Sequence, residues 1–430
     1  MADLYKQVSV PIDLYNAVTE LGLSKIQTNK AFRFLDLLIT DSQRRFGLPY
    51  CYVSFSYGLF LTVFNSKYQN FLKPLLHSGI VKCDEVFSSD GQKPHYYKVH
   101  KDLSVGEGQV TVQVKYKGLE YNNDTEVVQN ALSFIKSLYI PYGELKQALL
   151  QKLYDVIHTN YKANHAIKES AVRVFDGKKH YYINTQKAIA KATKLGVTLF
   201  EDDGRYFIMD KGEYLKIKTA NIKRSYVASI ENLRDGNYYA SRNHTNNRLD
   251  HNLTNMATVL RYVIAEANNL VQVDAVNSQY AILANQMKKE GIKGQFIEDA
   301  IGGRLYENVV EGLNLPDRNT GKNGLMKVVF APIYTPNTLK SGLEKMYPEL
   351  IRYSDKIKQM KGYNQLAVML QQHESALYVD SISAELQKMG ISCTTIHDSI
   401  LCRENDRQFV QDFIKQKMKE QDFECQLKAS

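Results

Sequence analysis

The sequence predicts an α+β chain. Three observations carry that reading. An apolar strand ends in an acid and runs into a helix at residues 269–289, a short hairpin at 394–402 carries an acid at its tip, and a helix is followed by a hairpin between residues 66 and 99. Apolar residues make up 44 % and charged residues 23 %, values of a globular and not a disordered chain. A length of 430 residues exceeds one ordinary core and suggests two or three domains.

Residues 1–145 read as a small mixed domain. Asn29 to Phe46 has helical spacing and stops before Gly47 and Pro49. Ser66 is placed to cap a second helix whose apolar positions are Tyr68, Phe71, Leu72, Leu75 and Leu76, and Gly79 ends it. Ile80-Val81 with Val86-Phe87, the turn residues Ser88-Ser89-Asp90-Gly91, and Tyr96 to Val99 complete a hairpin. Helix followed by hairpin is a winged-helix-like layout, with Lys93, His95 and Lys98 near the wing as nucleic-acid contacts; a plain helix-and-hairpin core module has the same pattern.

Residues 146–225 form a basic helical region, thumb-like or linking, with Lys178-Lys179-His180, Lys187, Lys191, Lys194, Lys216, Lys218 and Lys223-Arg224. Interleaved with Tyr181, Tyr182 and Tyr214, these cations suit a phosphate backbone, Lys178 and Lys179 foremost. Each cluster alone reads more readily as a solvated face. The whole chain carries 55 Lys and Arg against 46 Asp and Glu, a formal charge of +9 that is compatible with a polyanionic partner without requiring one. The 29 Tyr residues add weak support.

Cys51, Cys83, Cys393, Cys402 and Cys425 are odd in number and form no Cys-x-x-Cys pair, so neither a zinc site nor a disulfide framework is expected and a cytoplasmic location fits. Met1 to Lys6 lacks the apolar core of a secretory leader, and no apolar run approaches the ~20 residues of a membrane span.

Residues 226–430 carry the chemistry. Asn269 to Asp274 reads as a buried strand ending in an acid, Ala275-Val276-Asn277 as a turn, and Ser278 to Lys289 as a helix with Tyr280, Leu283, Ala284 and Met287 on one face. Ligand sites lie at such strand ends. The second acid stands in Thr394-Thr395-Ile396-His397-Asp398-Ser399-Ile400-Leu401-Cys402, a hairpin with His397-Asp398 at its tip. Phosphoryl transfer needs two Mg²⁺ ions about 4 Å apart and carboxylates to hold them, and strand ends in one sheet supply two.

Ile396-His397-Asp398-Ser399 resembles motif C of the family A polymerase superfamily, which holds His-Asp-Glu in its DNA polymerases and His-Asp-Ser in single-subunit RNA polymerases. Val273-Asp274 with Ser278-Gln279 resembles motif A. Thr245-Asn246-Asn247-Arg248-Leu249 with Asn252-Leu253-Thr254-Asn255 resembles the segment whose Arg touches the primer end. Lys327 to Tyr334 is similar to motif B, a helix with a Lys on the triphosphate and a Tyr about two turns on. It departs in its spacing, in Pro332, and in Thr335 where the family has Gly; Lys322 and Arg318 are alternatives for the triphosphate. Leu366 to Met389 reads as one amphipathic helix with Leu370, Leu377, Ile382 and Leu386 inward and Gln371, Gln372, His373 and Glu374 toward the cleft.

The resemblance covers residues 240–410. It implies a right-hand polymerase palm, an antiparallel sheet with helices, joined to small fingers. It implies a nucleotidyltransferase that copies a nucleic-acid template, DNA in the first instance, from nucleoside triphosphates, with Asp274 and Asp398 as catalytic and metal-binding residues for Mg²⁺ or Mn²⁺. Lys327 and Tyr334 would hold the nucleotide, and Arg248 and His397 the nucleic acid. No acidic residue follows Asp274 closely and Ser399 follows Asp398, which favours ribonucleotides, in a primase-like activity; Gln279 or Tyr280 is a bulky gate in the other direction. Small replication proteins of phages and mobile elements are similar as a class. The alternatives are a DNA polymerase of the same superfamily, a non-catalytic replication initiator that binds DNA, and a two-metal hydrolase using Glu374 and Asp380.

Overall fold

A computed structural model describes residues 4–46, 49–55, 60, 63–64, 67–84, 95–105, 108–116, 125–161, 172–175, 180–202, 205–333 and 339–429. The chain is α+β with small, mainly antiparallel sheets. It separates into two units. One comprises residues 1–119, 141–237 and 256–263, the other 120–140, 238–255 and 264–430. No helix among the described residues is long and apolar enough to cross a membrane.

In the first unit, strands Leu4–Pro11 and Gln109–Tyr116 pair antiparallel from end to end, and Val8, Val10 and Val114 enter the core on alternate positions. Helix Lys25–Phe46 begins four residues before the start read from the sequence. It buries Phe34 against Phe55, Phe60, Phe64, Phe71 and Tyr97, a cluster of tilted and edge-on rings. Strands Val53–Phe55, His95–Val99 and Val81–Asp84 form a three-stranded antiparallel sheet in that spatial order. Helix Gln69–His77 sends Phe71, Leu72 and Leu75 into the same core. The element order is therefore helix, strand, helix, hairpin. Ser66, the Val86-Phe87 pair and Lys93 lie outside the described residues.

A second sheet in this unit orders His180–Ile183, Val172–Phe175, Arg205–Ile208 and Leu199–Asp202, with helix Thr185–Lys194. It corrects the reading of residues 146–225 as a helical basic track. Arg224 is half-buried and paired with Asp36 and Gln43, Lys218 is paired with Asp202, and Tyr214 is in the core. Those cations are spent on internal carboxylates and an amide. Lys187 and Lys194 remain exposed, and Lys178 and Lys179 lie outside the described residues.

In the second unit, strands Cys393–Thr395, Ser399–Arg403, Leu270–Ala275 and Leu427–Ala429 form one antiparallel sheet in that order. Period-two alternation sends Val271, Val273 and Ala275 to one face, where they pack with Leu377, Ile382, Leu386, Val410 and Ile414. Asp274 therefore projects from the other face. Helix Glu126–Lys136 belongs here, through Val128 and Ala131 against Ala240, Leu249 and Val379, not to an N-terminal domain. Between the two acids, the regular elements among the described residues from Ser278–Lys289 to Tyr363–Ser375 are helices, with their own core of Tyr280, Phe296, Tyr306, Leu325, Tyr347 and Leu370. The helix read as Leu366 to Met389 is interrupted: α-helix Tyr363–Ser375 passes into π-helical turns at Ala376–Ser383 and back to α-helix at Ala384–Lys388.

Candidate active site

Asp274 and Asp398 reach one cavity by two local routes. Asp274 stands one residue before the end of its strand, and its register partner on the next strand is Ser399. Asp398 sits in the two-residue connection closed by Ile396 N–H to Ser399 O at 3.0 Å and Ser399 N–H to Ile396 O at 3.2 Å. His397 takes the left-handed conformation there, φ +56, and Ser399 Oγ braces the turn by donating to Ile396 O at 2.7 Å. Two adjacent antiparallel strands thus carry both acids to the same edge.

The cavity holds about 320 Å³. Its floor is Arg248, Asp274, Glu374, His397, Asp398 and Lys428, and its far wall is one face of helix Arg318–Phe330. Of the residues read from the sequence, Asp274, Asp398, Arg248, His397, Gln279, Arg318 and Lys322 are brought together here. Lys327 is not. The helix stops at Phe330 because Ala331, preceding Pro332, is extended. Tyr334 lies outside the described residues. The residues facing the cavity are Arg318, Lys322, Met326 and Phe330, each four after the last. Lys98, in the first unit, stacks over Tyr52 at 4.4 Å.

The sequence also missed Lys428 and Tyr306, both in the lining. Lys428 is the register partner of Asp274 on its other side and places its ammonium 3.0 Å from Asp274 Oδ2. Arg248 donates from Nε and Nη2 to Glu374 Oε1, at 2.9 and 2.6 Å, and Gln279 also bonds that carboxylate. Of the polar residues expected to face the cleft on that helix, Glu374 does so, whereas Gln371 bonds Asn246 and Gln372 bonds Thr245 O. Asp380 is drawn away into a pair with Arg242, at 2.5 and 3.1 Å, so it is no third metal ligand. His251 was also unforeseen. Its Nδ1 accepts from Leu253 N–H at 3.2 Å, which leaves Nε2–H to donate to Thr395 O at 2.9 Å and so ties the Arg248 hairpin to the sheet.

Three carboxylates thus converge and two cations answer them. Burial pushes the Asp398 carboxyl up to about 7, helped by the nearby charges of Glu374 and Asp274. Burial also raises Asp274, opposed by Lys428, and raises Glu374, opposed by Arg248. At the head of helix Ser278–Lys289, both amide atoms of Asn277 and the hydroxyl of Ser278 are buried without a hydrogen-bond partner, polar atoms that a bound ligand would satisfy.

A fold-stability consequence follows from Asp398. In the folded chain it keeps a proton up to about pH 7, whereas an unfolded Asp releases it near pH 4. The folded state binds more protons in that window, so without metal, stability falls as pH rises from about 4 to 7. Asp398→Asn should remove the loss. Thermal unfolding in chelator should find the variant more stable than wild type at pH 8, by up to about 4 kcal/mol for about three pH units of displacement at about 1.4 kcal/mol each, with the difference vanishing near pH 4. A variant no more stable at pH 8 contradicts the assignment.

No known family model matches the chain, and no curated protein matches it significantly.

Proposed function

We propose that the chain is a template-dependent nucleotidyltransferase with a polymerase-type palm, using ribonucleoside triphosphates in preference to deoxyribonucleotides. The observation that carries this reading is the pairing of two acids from adjacent antiparallel strands with a facing helix that presents Arg318 and Lys322 across one cavity. The reaction joins a hydroxyl to the α-phosphorus of a nucleotide and releases pyrophosphate, which demands positioning and charge balance more than covalent help.

The acids fit divalent cations. No group of three or more His, Cys, Asp or Glu among the described residues forms a metal cage, but Mg²⁺ is ordinarily held by one or two carboxylates with water and substrate phosphates filling the rest. Asp274 and Asp398 would hold it, and it would neutralise charge developing on the transferred phosphate. Lys322, exposed on the facing helix, and Arg318, held over the Tyr306 ring at 4.6 Å and bonded to Glu307, would receive the triphosphate. Phe330, eight residues and two turns beyond Lys322, is the aromatic at the base position, where the sequence suggested Tyr334. Extension assays with labelled NTPs and dNTPs on primed and unprimed templates test the reading. Incorporation of NTPs is expected; no incorporation of either substrate in Mg²⁺ or Mn²⁺ by folded protein rejects it.

The first unit supports a nucleic-acid partner of its own. Helix Gln69–His77 leaves Gln69, Asn70, Lys73 and His77 exposed and contains no acid. Beside its start lie three cations, Lys30, Arg33 and Lys67; burial lowers the Lys30 pKa, with Lys67 and Arg33 adding to the shift. The helix-strand-helix-hairpin order fits the winged-helix reading, in which such a helix enters the major groove of duplex DNA. Asn70→Ala with Lys73→Ala should weaken duplex DNA binding at least about tenfold and flatten its salt dependence by about one ion. Fluorescence anisotropy at several salt concentrations measures both, and affinities equal to wild type would remove this helix from the interface.

A further inference from the structure

We infer that Lys428 is a built-in counter-ion that occupies the metal position at Asp274 and yields it when a divalent cation arrives. The inference rests on the metal-holding role proposed for Asp274 and Asp398.

The placement of Lys428 is fixed by backbone, not by chance contact of two long side chains. Strand Leu427–Ala429 pairs with Leu270–Ala275 in the register Val273↔Ala429, Asp274↔Lys428, Ala275↔Leu427. Leu427 and Ala429 pack toward the sheet core, so alternation sends Lys428 to the face of Asp274. Several contacts hold that register upstream. Val276 N–H donates to Gln426 O at 2.8 Å. Asn285 brackets the Glu424 backbone, donating to its carbonyl at 2.8 Å and accepting from its N–H at 3.0 Å. Gly303, at φ +78, lets Gln426 approach so closely that a β-carbon there would lie 3.2 Å from its Cγ. A slip of one residue would bury the lysine and set an aliphatic side chain beside Asp274.

The pair is also built to exchange. The Lys428 side chain is 57 % exposed and that of Asp274 18 %, and ion pairs with one partner in water are weak. Arg248 and Glu374 differ: there the carboxylate is 2 % exposed and both bonds come from one guanidinium. One carboxylate of the site is therefore locked and one is held loosely by an ammonium. A divalent ion held by Asp274 and Asp398 would compete with Lys428 for the Asp274 carboxylate, since two cations repel at close range. The ammonium would leave on its four-carbon stem while the strand register held.

Competition of this kind is read directly by metal binding. Full-length protein is titrated with Mn²⁺ in the absence of nucleotide, and free Mn²⁺ is followed by electron paramagnetic resonance. Lys428→Met keeps the stem and removes the charge; it should bind Mn²⁺ about three- to tenfold more tightly than wild type. Lys428→Arg keeps the charge and should not gain. Asp274→Asn and Asp398→Asn should each weaken binding more than tenfold. If the Asp variants weaken binding but Lys428→Met equals wild type or binds less tightly, the counter-ion role is wrong and the metal site stands. If the Asp variants bind Mn²⁺ as wild type does, the metal site and the counter-ion role both fall.

Discussion

Asp398→Asn should lower nucleotide incorporation at least about a thousandfold, some 4 kcal/mol of transition-state stabilisation, while leaving template binding within about twofold. The acid stands at the tip of a turn closed by two backbone hydrogen bonds, and its carboxylate faces the cavity shared with Asp274. Asn preserves size and shape, so the hairpin and its Ser399 brace are retained. What is lost is the negative charge needed to hold a cation where charge develops on the phosphate. Template binding draws on phosphate contacts elsewhere and has no reason to follow. Single-turnover incorporation and anisotropy on the same preparations separate the two. Incorporation within tenfold of wild type would end the assignment of Asp398. Asp274→Asn should behave alike, since the two acids act as a unit and their losses should not add.

Both acids were legible because their signals are local. A run of β-branched and apolar residues ending in Asp, and a short hairpin with His397-Asp398 between strands, are written in ten consecutive residues each. The sheet that joins them could be read only as an expectation, since pairing of Leu270–Ala275 with Ser399–Arg403 spans more than a hundred residues. Lys428 illustrates the limit. Nothing around Gln426-Leu427-Lys428 distinguishes it from any exposed lysine, and its role comes wholly from register against Asp274. The same holds for Glu126–Lys136, a helix that packs with Ala240 and Leu249, residues more than a hundred positions away. Within the basic clusters of 178–224, Lys218 and Arg224 show a related limit. Charge is visible in a sequence but its partner is not, and Asp36 and Asp202 had already claimed Arg224 and Lys218. The π-helical turns at Ala376–Ser383 likewise leave no periodicity that a 3.6-residue repeat would detect.

Lys322→Ala should cost about a hundredfold in kcat/KM for nucleotide, near 2.7 kcal/mol, and Lys327→Ala should cost no more than about twofold. The two lysines are five residues apart on one helix, so helical geometry alone separates them. Residues 318, 322, 326 and 330 drift by about 40° per step and centre on the cavity, and position 327 points about 120° away from that centre. The sequence favoured Lys327 because a Tyr follows it at nearly the right distance. The helix ends at Phe330, before that Tyr, and only Lys322 has an aromatic two turns on within the same helix. Both lysines are exposed, so neither substitution should disturb folding, and equal circular dichroism spectra would confirm that the comparison is fair. Lys322 also lies close enough to Asp274 to favour its ionised form, which places its charge over the acids and not at the rim. The loss for Lys322→Ala should appear mainly in KM if the lysine binds the triphosphate equally before and during reaction, and in kcat if it meets charge only as the bond breaks. A larger loss from Lys327→Ala than from Lys322→Ala would mean that the facing wall of the site is not the one this helix presents.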